Sequence, residues 1–194
     1  MSRSPMQTVL LADVPPQPWR NGGGVTRDLL AWPGADWQCR ISVADVSRDG
    51  PFSAYPGIER WFAVVQGAGV VLHFGDDDRR MAQETPPLCF DGAQAPGCTL
   101  IDGATLDLNL LCQGDAGRGE MRAVEAGQPW RSTAPLRAVF TVHAAELRVD
   151  GVPVAALPAL TLAWQQAAAD ETWELVADES VTRAWWLSFT PHHT

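Results

Sequence analysis

The sequence predicts an all-β protein, and three features of the chain indicate this class. Apolar and polar residues alternate with a period of two in several short segments, most clearly at 37–43 and 105–111, as they do in strands with one buried face. Clusters of glycine, proline and aspartate separate such segments about every eight to twelve residues, which favours a barrel or sandwich over alternating strands and helices. Only the segment 165–169 is predicted to be helical.

Predicted strands follow one another along most of the chain. They are 7–11, 25–32, 37–43, 59–66, 86–90, 98–101, 105–111, 121–124, 138–143, 146–149, 152–155, 160–164, 172–176 and 183–189. Asp150-Gly151 predicts a two-residue type I′ hairpin, because both positions of that turn need positive φ. The segment 66–69 also has the composition of a hairpin, and the charged run 75–80 that of a solvated turn.

The composition of the chain limits the classes of partner and the location that can be expected for it. The net charge of −9 predicts no nucleic-acid partner and no membrane partner, because phosphate backbones and anionic lipids would repel the average surface. The N-terminus lacks a long apolar run, so neither a signal peptide nor a span is predicted, and a cytoplasmic location is expected. The four cysteines lie in or beside apolar runs and are expected to be small buried thiols.

Two familiar kinds of site are not predicted. The four histidines include no His-x-His pair, and a first-row metal needs converging ligands, so neither a metal nor another cofactor is expected. Gly22-Gly23-Gly24 is not interpreted as a phosphate loop, because a strand instead of a helix is predicted to follow it. Glycines there still allow close backbone approach and leave N–H donors for a ligand.

Polar side chains on the predicted strands form a candidate anion site. Arg40 and Arg60 stand on strands expected to be adjacent, and each guanidinium matches a carboxylate with two parallel hydrogen bonds. Asn109 and Asp107 share the polar face of one strand, and Ser42 shares a face with Arg40. The remaining candidates are Asn21 and the amides of Gly22 and Gly23 as polar contacts, and Trp19 and Phe52 as flat apolar walls. Alternatively, Arg40 pairs with Asp107 as a purely structural bridge and Arg60 only covers the rim of the barrel.

Four segments together resemble the HutD/Ves family. They are Pro18–Arg27, Trp37–Val46, Gly50–Arg60 and Asp107–Leu110, and the resemblance covers roughly the first 115 residues. It implies a cupin-like fold (an RmlC-like jelly roll) with two β-barrel halves, that is, a bicupin. The polar, glycine-rich segment beginning at Gly114 then separates residues 1–114, which carry the motifs, from residues 115–194. The family's link to histidine utilisation implies a ligand such as urocanate or formiminoglutamate.

The combined expectation is a metal-free binding protein for a small carboxylate metabolite that modulates histidine utilisation. A metal-free isomerase or lyase is the alternative function, with His73 as base and Asp107 as its partner. A third possibility is an interaction module whose barrel interior is filled. Trp185 and Trp186 must point to opposite faces of one strand, so one of them is expected at an interface. Packing between the two halves and a homodimer seam explain that interface equally well.

Overall fold

The chain forms two compact units. The computed structural model describes residues 5–166, 170–177 and 183–192. The N-terminal unit is Pro15–Gly117, and the C-terminal unit combines the described residues of Met1–Val14 and Arg118–Thr194. The first strand, β1 (Gln7–Leu10), pairs with a strand late in the chain. Residues 5–14 therefore lie in the C-terminal unit and not in the half expected for residues 1–114.

Two sheets build the N-terminal unit. One has six strands in the order β2-β3-β4-β11-β6-β9, and the other has four in the order β5-β10-β7-β8. The strands are β2 (Gln17–Pro18), β3 (Gly24–Trp32), β4 (Cys39–Val46), β5 (Gly50–Pro51), β6 (Ile58–Gln66), β7 (Val70–Phe74), β8 (Asp77–Met81), β9 (Leu88–Asp91), β10 (Gly97–Leu100) and β11 (Thr105–Gln113).

The core of this unit lies between its two sheets. Phe62 and Val64 of β6 pack in one buried cluster with Val70 and Leu72 of β7. β11 is a central strand of the larger sheet, and its polar residues Asp107 and Asn109 are as buried as Leu108 and Leu110 on its other face. Polar groups held this way must find partners inside the protein.

Two further sheets build the C-terminal unit. Their orders are β1-β17-β14-β19-β12 and β13-β18-β15-β16. The strands are β12 (Gly117–Ala123), β13 (Trp130–Ser132), β14 (Leu136–Thr141), β15 (Ala145–Val149), β16 (Val152–Leu157), β17 (Thr161–Gln166), β18 (Glu171–Val176) and β19 (Ala184–Pro191).

Tryptophans fill the core of the C-terminal unit. Trp130 stacks on Trp186 with ring centroids 5.1 Å apart, and Trp173 meets both rings edge-on. Trp185 lies on the opposite face of β19 next to Phe140. The expected division of the Trp185-Trp186 pair between two faces is therefore confirmed.

The all-β prediction is confirmed, and so is the hairpin at Asp150-Gly151, where Val149 pairs with Val152 and both turn residues have positive φ. Each unit is a jelly-roll-like pair of facing sheets with open edges, not a closed barrel. Within the described part of the chain, helix is limited to two single 3-10 turns, Leu11–Asp13 and Gly92–Gln94. Neither is long or apolar enough to cross a membrane.

Three local predictions need correction. The segment 66–69 does not join a hairpin, because β6 and β7 belong to different sheets. The charged run 75–80 contains most of β8, whose polar side chains are exposed because that strand lies at a sheet edge. The segment predicted to be helical begins with Gln165 and Gln166 at the end of β17, and its last three residues lie outside the described residues.

Cysteine burial follows the prediction at three positions. Cys39, Cys98 and Cys112 are buried, whereas Cys89 on β9 is exposed. Cys89 alternates with the buried Phe90, because neighbouring residues of a strand point to opposite faces.

Candidate functional site

A cavity of about 410 Å³ opens in the N-terminal unit. Its wall combines three arginines, one carboxylate and several aromatic rings. The lining residues are Gln17, Pro18, Trp19, Arg20, Asn21, Thr26, Asp28, Arg40, Pro51, Phe52, Ser53, Tyr55 and Arg60. Such a mixture of flat apolar walls and a few convergent polar groups is typical of small-molecule sites.

The sheet register places two arginines on the wall of this cavity. Leu111 of β11 pairs with Arg40 of β4 on one side and with Arg60 of β6 on the other. Directly paired residues of an antiparallel sheet share a face, so both guanidinium groups project from the same side. The two strands are not adjacent as predicted, because β11 separates them, which puts the two backbones roughly 10 Å apart.

Arg60 is held rigidly. Its Nε and Nη2 donate to Asn109 Oδ1 at 3.0 and 2.7 Å, and its guanidinium lies over the Phe52 ring, 4.4 Å from the centroid, and over the Phe90 ring. Burial lowers the pKa of Arg60 to about 10, so the group still carries its charge at neutral pH. Asn109 occupies the Nε side, which leaves the Nη1 side for a ligand on the cavity wall.

Arg40 has a looser environment. Its guanidinium lies 5.0 Å from the centre of the Trp37 ring and 5.8 Å from that of Tyr55. Its Nε is 3.7 Å from Asp28 Oδ1, too far for a hydrogen bond. The partner suggested by the structural alternative, Asp107, is not the one observed.

Asp107 is not among the residues that line the cavity. The side chain is fully buried, Oδ1 accepts a hydrogen bond from Thr105 Oγ1 at 3.0 Å, and Oδ2 has no hydrogen-bond partner. Burial raises the pKa of Asp107 to about 7, although the Thr105 hydroxyl and the Arg60 charge oppose the rise. Neither Asp107 nor the buried Asn109 lines the cavity, and Asn109 holds Arg60 through its side-chain oxygen.

The Trp19–Gly24 turn forms another part of the wall. Trp19 Nε1 donates to Thr26 Oγ1 at 2.8 Å, which fixes the indole beside the cavity. The amide of Gly22 donates to the Trp19 carbonyl, and that of Gly23 donates to Asn21 Oδ1. These two amides are committed inside the turn and do not line the cavity, contrary to the expectation that they would contact a ligand.

Gly24 has a different role, since an added Cβ would collide with the Asp45 carbonyl oxygen. The strand predicted after the glycines is present as β3.

The structure thus divides the predicted site residues into two groups. Trp19, Asn21, Arg40, Phe52 and Arg60 line the cavity. Ser42, Asp107 and Asn109 are buried on the same sheet face behind the wall, and Gly22 and Gly23 shape the turn.

Sequence reasoning did not single out Asp28 and Tyr55 as site residues. The strand containing Asp28 was predicted, but its pairing with β4 decides which of its faces points inward, and no sequence pattern signals that pairing. Tyr55 stands in a turn between prolines and glycines, where the direction of a side chain does not follow from periodicity.

The histidine required by the enzymatic alternative lies elsewhere. His73 Nδ1 contacts Asp78 Oδ1 at 2.7 Å, and Nε2 contacts Thr99 Oγ1 at 3.0 Å, all on the four-stranded sheet. The His73–Asp107 pair is therefore absent, because each residue has other partners and His73 is not on the cavity wall. Among the described residues, no three His, Cys, Asp or Glu side chains converge in a way that could hold a metal ion.

Comparison with known proteins identifies relatives of this chain. An uncharacterized 21.2 kDa protein in the hutC 3′ region of Pseudomonas putida is 33% identical over 113 residues, which cover 56% of this chain and 58% of that protein. Protein Ves of Citrobacter koseri is 31% identical over 110 residues, covering 55% and 58%. The chain thus spans little more than half the length of the curated relatives it matches.

Solved structures match over a longer stretch. HutD from Pseudomonas fluorescens SBW25 superposes with a TM-score of 0.84 at 27% identity, covering 97% of this chain and 100% of that one. A variant of the Bacillus subtilis oxalate decarboxylase, a cupin, superposes with a TM-score of 0.64 at 10% identity over 100% of this chain and 79% of that one. The second likeness shows the cupin-like fold alone. The HutD family model matches residues 11–183, and the chain therefore belongs to the HutD family.

Proposed function

We propose that this chain binds a small carboxylate-bearing metabolite in the cavity of the N-terminal unit, without a metal ion and without chemical turnover. The observation that carries the proposal is the pair of arginines on one sheet face, Arg40 and Arg60, both on the wall of one cavity. A carboxylate that meets a guanidinium away from bulk water gains about 1.5–3 kcal/mol for each charged hydrogen bond.

The preorganised state of Arg60 supports the proposal further. Asn109 and two phenylalanine rings hold its guanidinium before any ligand arrives. A ligand therefore does not have to order that side chain, which reduces the entropic cost of binding. Trp19 on the wall provides a flat surface suited to a planar ligand.

Family membership suggests which carboxylates to test. The family name and the hutC-region relative support a place in histidine utilisation, with urocanate or formiminoglutamate as ligand and the protein as a cytoplasmic modulator of that pathway. A homodimer is part of this proposal and is checked by sedimentation with and without ligand.

Calorimetric titration tests the proposed function. Urocanate and formiminoglutamate are titrated into the unaltered protein, into Arg40→Gln and into Arg80→Gln. Arg80 lies on the exposed strand β8, so its variant makes the same charge change away from the cavity. We expect Arg40→Gln to weaken binding roughly 10- to 100-fold and Arg80→Gln to leave it unchanged. Absence of binding by both acids, or equal loss in both variants, would exclude the proposal.

A further inference from the structure

The carboxylate on the cavity wall has an unused acceptor. Asp28 Oδ1 is buried and lacks a hydrogen-bond partner, while Oδ2 accepts a long 3.4 Å bond from Gln17 Nε2. Arg40 Nε, 3.7 Å away, is likewise buried without a hydrogen bond. The two atoms form an ion pair with each other, but neither has a hydrogen bond. Because buried polar atoms almost always have one, a bound group that supplies the missing hydrogen bonds fits this wall.

A backbone irregularity follows Asp28 in β3. The β3–β4 register pairs Asp28 with Ser42 and then Leu30 with Ile41, so Leu29 is an extra residue in the strand. In an unbroken ladder Leu30 would stand opposite Arg40, whereas the bulge places Ala31 there. Asp28 faces inward through its pairing with Ser42, and the bulge after it brings a small residue, Ala31, into register with Arg40. Bulges commonly re-aim side chains next to functional sites.

The distribution of charge on the wall assigns a role to Asp28. The lining residues include three arginines but one carboxylate, that of Asp28, because Asp107 is buried behind Arg60. A ligand that carries only a carboxylate would satisfy the arginines and leave Asp28 Oδ1 without a donor. Sites built around a buried hydrogen-bonding group discriminate strongly against ligands that lack the complementary group.

We infer that Asp28 accepts a hydrogen bond from an N–H or ammonium group of the ligand, so that the cavity selects carboxylates that also carry a nitrogen donor. This inference rests on the proposed function and deepens it, because it names the substrate class. The role that sequence reasoning gave to Asp107, acceptance from a ligand N–H, passes to Asp28. The competing explanation is that Asp28 only offsets the charge of Arg40.

Two nearly isosteric probes separate these explanations. The first is 3-(imidazol-4-yl)propanoate, which carries a ring N–H, and the second is 3-(furan-2-yl)propanoate, which has no N–H. We expect the unaltered protein to bind the imidazole acid roughly 10- to 100-fold more tightly. In Asp28→Asn this ratio should fall towards one, mainly because the imidazole acid binds less tightly.

Three results would overturn the inference. Equal affinity of the unaltered protein for the two acids means that Asp28 does not accept a hydrogen bond from the ligand. This comparison needs no variant. If Asp28→Asn binds both acids more tightly by the same factor, Asp28 only offsets the charge of Arg40. Binding of neither acid also overturns the inference, and the titrations with urocanate and formiminoglutamate then show whether the proposed function fails with it. If both bind equally and Arg40→Gln weakens both, the proposed function stands and the inference alone is wrong.

Discussion

The buried carboxylate of Asp107 should make the stability of the N-terminal unit fall as pH rises. Burial raises its pKa from 3.8 to about 7 in the folded protein. Between these two values the folded state holds a proton that the unfolded state has released, so the free energy of unfolding decreases with increasing pH. The contribution is fully present below about pH 4 and is lost by the time the pH has passed 7.

The size of this effect follows from the two pKa values. When the folded and unfolded pKa values differ by one, the free energy of unfolding changes by about 1.4 kcal/mol, so the full difference is about 4 kcal/mol. Between pH 5 and pH 8, protonation equilibria with these pKa values predict a loss of about 2–3 kcal/mol. Arg60 does not obscure this window, because its pKa of about 10 keeps it charged throughout.

Asp107→Asn isolates the contribution. The variant keeps an oxygen that can accept from Thr105 and carries no charge, so its stability lacks the Asp107 component. Urea unfolding of both proteins at pH 5 and pH 8 should show the variant gaining about 2–3 kcal/mol relative to the unaltered protein as the pH rises. Any fixed effect of the amide cancels in this difference, because it is the same at both pH values.

Asp102→Asn serves as the matched control, since Asp102 is an exposed carboxylate in a turn. It should show no comparable change between the two pH values. A stability difference between Asp107→Asn and the unaltered protein that is the same at pH 5 and pH 8 would refute the reasoning, because it would mean that Asp107 is not protonated in the folded state at pH 5.

Three further substitutions test other contacts by urea unfolding. Asn109→Ala should cost about 1.5–3 kcal/mol, because two donors of the buried Arg60 lose their acceptor; an unchanged midpoint would contradict the assigned contact. Glu171→Leu should cost about 3–5 kcal/mol, because it leaves a fully buried arginine without its carboxylate; a neutral result would mean that the pair does not contribute. Gly69→Ala should cost about 1–3 kcal/mol, because its φ is +95° and a Cβ would meet a backbone carbonyl. Gly34→Ala, whose Cβ would meet nothing within 4 Å, is the control and should be nearly neutral.

The positions of the strands could be predicted from the sequence better than the pairing between strands. Alternation at 105–111 correctly indicated β11, but it could not show that the polar face would be as buried as the apolar one. Which strands pair depends on contacts between distant parts of the chain, and β11 inserts between β4 and β6 although both precede it. For the same reason the pairing of β1 with β17 had no local signal.

The site was predictable to the extent that it depends on residue chemistry. Arginine at positions 40 and 60 indicated anion binding, and the register gives both a place on the cavity wall. Asp107 and Asn109 were predicted to contact a ligand because the sequence does not show that the folded sheet buries both side chains away from the cavity wall. Asp28 was missed because the pairing of β3 with β4 decides which face of β3 lines the cavity, and this pairing cannot be read from the local sequence.

Comparison of the buried arginines explains why the N-terminal unit is the better candidate for anion binding. In the C-terminal unit Arg137 is fully buried, its Nη2 lies 3.0 Å from Glu171 Oε2, and its guanidinium lies over the Trp173 ring. A ligand anion there would have to displace a carboxylate from a low-dielectric interior, which is costly. Arg60 has a neutral amide as its partner instead. Because that amide fixes the guanidinium without neutralising it, the positive charge stays available at the cavity wall.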